Sequence, residues 1–184
     1  MGLVVRYGPK VIPTTVSKLL ERGKDGRYWY QKSRDNIADY SARQDVPLGY
    51  VCDVLSILSP RVHVSRNVRM ARDYIERGKY SPGMMQHRRN ALNYYEMWGV
   101  YSGRKVTAFS KALQDGGGEH AVVDVWVFRA FDLAASRANH RVAVERLRRA
   151  ARRLQWPVAE AQAALWVGTR AVCGFTNHDP ISMA

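Results

Sequence analysis

The sequence has little cysteine, no long apolar run and few acidic residues. The two cysteines, Cys52 and Cys173, lie far apart and form no CxxC pattern. Cysteines set among apolar neighbours in this way are typical of free buried thiols in a reducing compartment. The histidines are scattered without the spacing of zinc ligands, so we predict no metal site.

No stretch approaches the roughly 18 consecutive apolar residues that a membrane span requires. The N-terminal residues also lack the apolar block of a secretory signal peptide. We therefore expect a cytoplasmic protein that makes no contact with a membrane.

Basic residues greatly outnumber acidic ones. Lys and Arg total 29 against 16 Asp and Glu, which gives a formal net charge of +13 and a sequence pI of about 10.1. An excess of this size commonly serves to attract a polyanion, and nucleic acid is the usual one. A basic protein that merely resists aggregation is the alternative.

Helical periodicity dominates the apolar pattern, whereas strand alternation is scarce and two-residue hairpin signals are absent. Ten Tyr and five Trp exclude a disordered chain. We therefore predict an all-α protein, either one domain or two small helical lobes. Gly and Pro boundaries delimit helices at Thr14–Arg22, Tyr28–Arg43, Leu48–Leu58, Asn67–Arg77, Met84–Trp98, Arg104–Leu113, His140–Leu154 and Ala159–Val172, and Ala121–Ala135 is a mainly apolar segment that contains Asp124. The β-branched residues of 48–58 leave a strand as the alternative there.

The two ends of the chain are expected to be peripheral. Residues 1–27 contain several Gly and Pro residues and one short helix, capped by Thr14 or Thr15. We interpret them as a peripheral N-terminal extension, residues 28–173 as the folded domain, and residues 174–184 as a C-terminal tail.

Residues 99–109 carry the first functional signal. A glycine-containing turn leads here directly into a helix, so backbone N–H groups point outward at the positive end of the helix dipole. Such an arrangement suits a DNA phosphate. A plain turn between two helices is the alternative.

Asp124 carries the second signal, because it is a carboxylate within a strongly apolar run, residues 122–128. Burying an unpaired carboxylate is costly. Asp124 therefore caps the helix that follows, is retained for a chemical task, or does both.

Taken together, the two segments resemble the helix-hairpin-helix (HhH-GPD) DNA glycosylase superfamily, and specifically its endonuclease III-like branch. The matching residues are Gly103-Arg104-Lys105 and Ala108, followed by Val123-Asp124, Val127, Phe128 and Arg129. Lys105 precedes Asp124 by 19 positions, which agrees with the family's spacing. Weaker matches at 54–59, 89–92 and 164–170 extend the resemblance over Tyr28 to Cys173.

The resemblance implies a fold of two small helical lobes around a central cleft, and an enzyme that flips a damaged or modified base out of duplex DNA. It implies that Lys105 attacks the sugar C1′ and forms a Schiff base. Asp124 would stay ionised, stabilise positive charge on the sugar and assist deprotonation of Lys105. The activity would be that of a base-excision DNA repair glycosylase with abasic-site lyase activity.

The resemblance also implies the DNA contacts. They are Tyr101, Ser102, Gly103 and Arg104 in the hairpin, Arg61, His63 and Arg66 in the loop after the helix at 48–58, and Arg129. An ordinary solvated loop is the alternative for residues 61–66. Seven arginines between 137 and 153 form either a solvated cationic face or a phosphate-attracting one.

Three features depart from the family pattern. Tyr101 replaces the first hairpin glycine, which restricts positive φ and crowds the phosphate. Val125-Trp126 stands where the family often has Thr-His. The four-cysteine motif is absent, so we predict no iron–sulfur cluster and no other cofactor.

The expected partner is double-stranded DNA, bound by a monomer associated with the nucleoid.

The three departures from the family pattern keep two alternative functions open. One is a glycosylase-derived enzyme that modifies bases instead of excising them, as some virus-encoded relatives are thought to do. The other is a non-catalytic DNA-binding protein.

Overall fold

Helices make up most of the chain in the computed structural model, which describes residues 3–7 and 10–183. They are α1 (Val16–Arg22), α2 (Trp29–Gln44), α3 (Leu48–Leu58), α4 (Val64–Arg77), α5 (Gln86–Trp98), α6 (Arg104–Asp115), α7 (Val125–Ala130), α8 (Arg137–Leu154) and α9 (Val158–Val172). The predicted helical class is confirmed for this part of the chain. The observed bounds of α3 are those predicted, so its strand alternative is wrong.

A β-hairpin precedes the helices, and the prediction that hairpin signals are absent was wrong. Strands β1 (Leu3–Tyr7) and β2 (Lys10–Thr14) pair antiparallel, with Leu3 opposite Thr14 and Tyr7 opposite Lys10. The signal was present in the sequence, because Val- and Ile-containing stretches flank Gly8-Pro9. Gly8 and Pro9 themselves lie outside the described residues.

Side-chain caps set several helix starts. The Thr15 hydroxyl accepts a hydrogen bond from the Lys18 N–H at 3.2 Å, as one of the two predicted caps of α1. Helix α8 begins three residues earlier than predicted, because the Ser136 hydroxyl accepts from the Asn139 N–H at 3.1 Å. Helix α7 begins inside the apolar segment 121–135, because Asp124 caps it there.

The chain divides into two compact units. Unit 1 consists of the residues up to Tyr30 together with Gly117–Asp179, and unit 2 consists of Gln31–Gly116 together with the residues from Pro180 onward. Lys105 therefore belongs to unit 2 and Asp124 to unit 1.

The core of unit 1 is formed by α1, α7, α8 and α9. It includes Leu19, Val127, Leu147 and Leu165, all fully buried. Helix α1 lies against α9 at Gly23 and Gly168, where a side chain on either glycine would collide with the backbone of the other helix. The segment expected to be a peripheral extension thus supplies part of this core.

The core of unit 2 is centred on α3, which packs against α4, α5 and α6. Val51, Val54, Leu55 and Leu58 of α3 are fully buried. The expected C-terminal tail also enters this unit, because Ile181 is buried and its N–H donates to the Ser33 hydroxyl at 2.9 Å. Among the described residues, no helix is long and apolar enough to cross a membrane.

Candidate functional site

The α5–α6 connection has the predicted form of a short turn leading into a helix. Gly99 ends α5 with φ +65°, and its N–H donates to the Tyr95 carbonyl at 2.7 Å. Gly103 precedes α6 with φ +109°, a conformation that favours glycine. Because Gly103 has no side chain to cap the helix, the first-turn N–H groups of α6 have no side-chain acceptor from it.

Lys105 is the second residue of α6, and its side chain is partly buried. Its ammonium donates a hydrogen bond to the Ser59 hydroxyl. The Nζ atom also lies 4.4 Å from the centroid of the Phe109 ring, one helical turn further along. These contacts hold the amine at a defined position, unlike the fully solvated lysine that helix surfaces usually carry.

The contact with Ser59 joins two segments that the sequence singled out separately. Ser59 ends α3 and begins the loop that contains Arg61 and His63. Its own hydroxyl donates to the Ser56 carbonyl at 2.9 Å, which fixes its orientation. The candidate nucleophile and the candidate DNA-contacting loop therefore meet within unit 2.

The buried side chain of Arg88 is hydrogen-bonded to the backbone of the same loop. This side chain is 7% exposed, and its guanidinium donates to the Pro60 carbonyl at 2.7 Å. Burial, together with the positive charge of Arg66, lowers the pKa of Arg88. The arginine therefore serves to fix the backbone next to Ser59.

The polar side chains of the loop itself face solvent. Arg61 is exposed, with a positive φ of 56°, and exposed His63 stands at the N-cap of α4. Arg66 is exposed and donates to the Gly83 carbonyl at 3.4 Å. In the hairpin, Ser102, Gly103 and Arg104 are exposed as well. These residues are accessible to a polyanion, and their contacts with DNA stay predictions.

Tyr101 is half-buried and engages groups inside unit 2. Its ring lies against that of Tyr95, with the centroids 5.6 Å apart. Burial is the main cause that raises the pKa of Tyr101, and the nearby Asp53 carboxylate raises it further. Asp53 also accepts from the Tyr95 hydroxyl at 2.7 Å and from the Ser110 hydroxyl. One carboxylate on α3 thus links α3 to α5 and α6, and the hairpin turn contacts this group through the ring of Tyr95.

Asp124 is the N-cap of α7 in unit 1. Its Oδ1 accepts from the N–H groups of Trp126 at 2.9 Å and Val127 at 3.0 Å. Its charge adds to burial in raising the pKa of Tyr30, whose hydroxyl donates to Gln162 at 2.7 Å. The capping interpretation of Asp124 is confirmed, and its pairing with Lys105 stays a prediction.

Arg129 and Trp126 stack on each other in the same unit, with the guanidinium carbon 4.5 Å from the ring centroid. Arg129 is partly buried, whereas Arg104 is exposed. Arg129 therefore offers less side-chain surface for its predicted contact with DNA. Among the described residues, no group of three His, Cys, Asp or Glu side chains could hold a metal ion.

Asp53 and Arg88 were not predicted to belong to the site, and Ser59 was predicted only as the first residue of the polar loop. Ser59 carried a weak signal, since Ser59-Pro60 closes the most apolar helix of the chain. Asp53 carried a stronger one, because it is a carboxylate inside that helix and needs partners there. Nothing in the sequence distinguishes the buried Arg88 from its neighbour Arg89.

Comparison with known proteins gives a family but no characterised relative. No curated protein and no solved structure matches the chain. One family model matches residues 19–172, a span that includes both Lys105 and Asp124. The chain therefore belongs to the family described as "Family of unknown function (DUF7178)".

Proposed function

We propose that the protein binds duplex DNA and excises a damaged or modified base, with the Lys105 amine as the nucleophile. The contact of Lys105 with Ser59 carries this proposal, because it holds an amine at the start of a helix beside an exposed basic loop. A helix-hairpin-helix glycosylase fold spanning residues 28–173 is part of the proposal. It is supported by the glycine turn at 99–103, which leads directly into α6.

DNA binding would use the exposed residues on both sides of Lys105. The first-turn amides of α6, with Ser102 and Arg104, suit one phosphate group. Arg61, His63 and Arg66 suit further phosphates or the base left unpaired after flipping. The net charge of +13 favours the same partner.

The chemistry would begin once the target nucleotide leaves the base stack, since its C1′ atom cannot be reached inside a duplex. The uncharged amine of Lys105 attacks C1′ as the C1′–N bond breaks, and the base departs with the bonding electrons and a proton. The nitrogen then forms a double bond to C1′ as the C1′–O4′ bond breaks. Its two protons have then passed to the departed base and to O4′, and a Schiff base remains. Loss of a C2′ proton then expels the 3′ phosphate as the C3′–O bond breaks, and water releases Lys105.

Asp124 and Arg129 enter the proposal through the resemblance. An ionised Asp124 would stabilise positive charge on the sugar as the base departs. Its Oδ1 already accepts two backbone N–H groups, which favour the ionised form of a carboxylate. Arg129 would contact the DNA backbone.

The test is to incubate the protein with duplex DNA containing an abasic site, add borohydride and run a denaturing gel. We expect a covalent adduct that disappears in Lys105→Ala. The matched control is Lys111→Ala, because Lys111 is an exposed lysine on the same helix and its loss should leave the adduct unchanged. If the protein bound DNA tightly and salt-sensitively but formed no adduct, the proposed role of Lys105 as nucleophile would be wrong, and only the DNA-binding part of the proposal would remain.

A further inference from the structure

Helix α8 of unit 1 separates its apolar and basic residues onto opposite sides. Ala143, Leu147 and Ala151 are buried in the core of unit 1. Six arginines on the other side are exposed to solvent: Arg137, Arg141, Arg148, Arg149, Arg152 and Arg153. The seventh, Arg146, is partly buried and donates to the Phe131 carbonyl at 2.8 Å, so it stabilises the unit itself.

The six exposed arginines are not neutralised within the protein. None of them forms an ion pair with any residue that the structure describes. Glu145 is the single acidic residue of the helix. Six like charges on 18 residues repel one another, so the arrangement costs stability unless an external anion binds it.

Four of these arginines share a narrow sector of the helix. At 100° per residue, Arg137, Arg141, Arg148 and Arg152 fall within about 60° of one another. At 1.5 Å per residue they extend over about 22 Å, the length of roughly six base pairs of duplex. We call these four residues the arginine face.

We propose that the arginine face binds the phosphate backbone of duplex DNA without reading its sequence. This inference deepens the proposed function, on whose DNA partner it rests, but it uses unit 1 whereas the hairpin and Lys105 lie in unit 2. Guanidinium groups suit the partner because each can donate two parallel hydrogen bonds to one phosphate. No lysine occurs on α8.

The burial of α8 favours DNA over a membrane surface. A helix that lies on a membrane inserts an apolar face, with Trp, Phe or Leu, into the lipid. The apolar face of α8 is already used, since Leu147 is fully buried and Val144 and Leu154 pack against the same core. The exposed residues that remain for a partner are mainly the six arginines, with Glu145 and Val142 among them.

The test compares two triple variants of the full chain with equal loss of charge. One is Arg141→Gln, Arg148→Gln, Arg152→Gln in the arginine face. The control is Lys32→Gln, Arg43→Gln, Lys79→Gln, which removes three exposed cations from unit 2. Glutamine keeps the helix propensity close to that of arginine, and circular dichroism checks that both variants fold.

Binding is measured by fluorescence anisotropy with an undamaged labelled duplex over a range of salt. We expect the arginine-face variant to bind roughly tenfold more weakly or worse, with its log K against log salt slope shallower by about 2 to 3. The control should change the slope by less than about 1. Equal changes in both variants, or none in the first, would overturn the inference.

Two further arms separate the inference from its rivals and from the proposed chemistry. Binding to phosphatidylserine vesicles or to polyglutamate that depends on the arginine face, with duplex binding unaffected, would also overturn it. At saturating protein, the arginine-face variant should still form the Lys105 adduct on abasic DNA. Loss of duplex affinity in a protein that never forms the adduct would support the arginine face while contradicting the excision chemistry.

Discussion

The close approach of α1 and α9 at Gly168 predicts a large effect from a small substitution. A methyl group added at Gly168 would overlap the Leu19 carbonyl oxygen, and it would lie only 2.8 Å from the carbonyl carbon and 3.2 Å from the Gly23 nitrogen. These are backbone atoms, so no side-chain rotation relieves the overlap. The Gly168→Ala variant must therefore displace α1 from α9.

The expected cost follows from what that displacement disturbs. Restoring ordinary contact requires the two backbones to separate by roughly 1 Å or more. Leu19 and Leu165 are fully buried beside this contact, and overpacking a core of this kind costs about 1–3 kcal/mol. Alanine recovers about 1 kcal/mol of helix propensity relative to glycine. Because the overlap is with backbone atoms, we take the upper end of that range, about 3 kcal/mol, and expect Gly168→Ala to destabilise unit 1 by about 2 kcal/mol after the propensity gain is subtracted.

The matched control is Gly49→Ala on α3. There the added methyl group would lie 3.5 Å from the Gln114 side-chain oxygen, an ordinary contact. This variant should be neutral or more stable by about 0.5–1 kcal/mol. Urea unfolding gives the change in free energy, and hydrogen exchange resolved by residue assigns it to a unit. If Gly168→Ala were as stable as wild type, the backbone contact between α1 and α9 would be incorrect.

Two further predictions concern Asp124 and Cys52. Asp124→Ala removes the cap of α7 and should lower the free energy of unfolding by about 1–2 kcal/mol, measured by urea unfolding. Asp124→Asn keeps an acceptor oxygen and should unfold like wild type. Because the carboxylate is proposed to act on the sugar, Asp124→Asn should nevertheless lose base excision, and retained excision would contradict that role. Burial, with a smaller contribution from Asp53, raises the pKa of Cys52 to about 12, so the folded protein holds the neutral thiol. The free energy of unfolding should therefore fall as the pH rises from the pKa of an ordinary thiol towards 12. Mass spectrometry after alkylation near pH 8 should find Cys52 unmodified in the folded protein and modified in urea, and labelling of the folded protein would refute the burial.

Features that depend on neighbouring residues were accessible from the sequence. Pro47 and Ser59-Pro60 delimit α3, and its bounds were predicted without error. The Thr15 cap of α1 and the Asp124 cap of α7 are each set within three residues of chain. The turn before Arg104 was also predictable from the sequence, because the positive φ values at Gly99 and Gly103 favour glycine.

Contacts between distant segments were not accessible. The contact from Lys105 to Ser59 spans 46 positions, and that from Arg88 to Pro60 spans 28. Each depends on how α5 and α6 pack against α3, which periodicity alone does not specify. Packing between distant segments also explains why residues 1–27 were wrongly predicted to be peripheral. The buried Leu19 lies against Gly168, which is almost 150 positions later in the chain.

Tyr101 brings local and long-range effects together. The sequence resemblance predicts that a side chain here disrupts a turn for which the helix-hairpin-helix glycosylases use glycine. In this chain the positive φ values fall at Gly99 and Gly103 on either side of it, so Tyr101 avoids the strained conformation. Its ring instead packs against that of Tyr95, with the centroids 5.6 Å apart, and the Tyr95 hydroxyl donates to the Asp53 carboxylate at 2.7 Å. The turn that leads into α6 therefore packs on α5 through Tyr101, and the Asp53 carboxylate joins α5 to α3 and α6, so side-chain contacts hold this turn in addition to the glycine conformations.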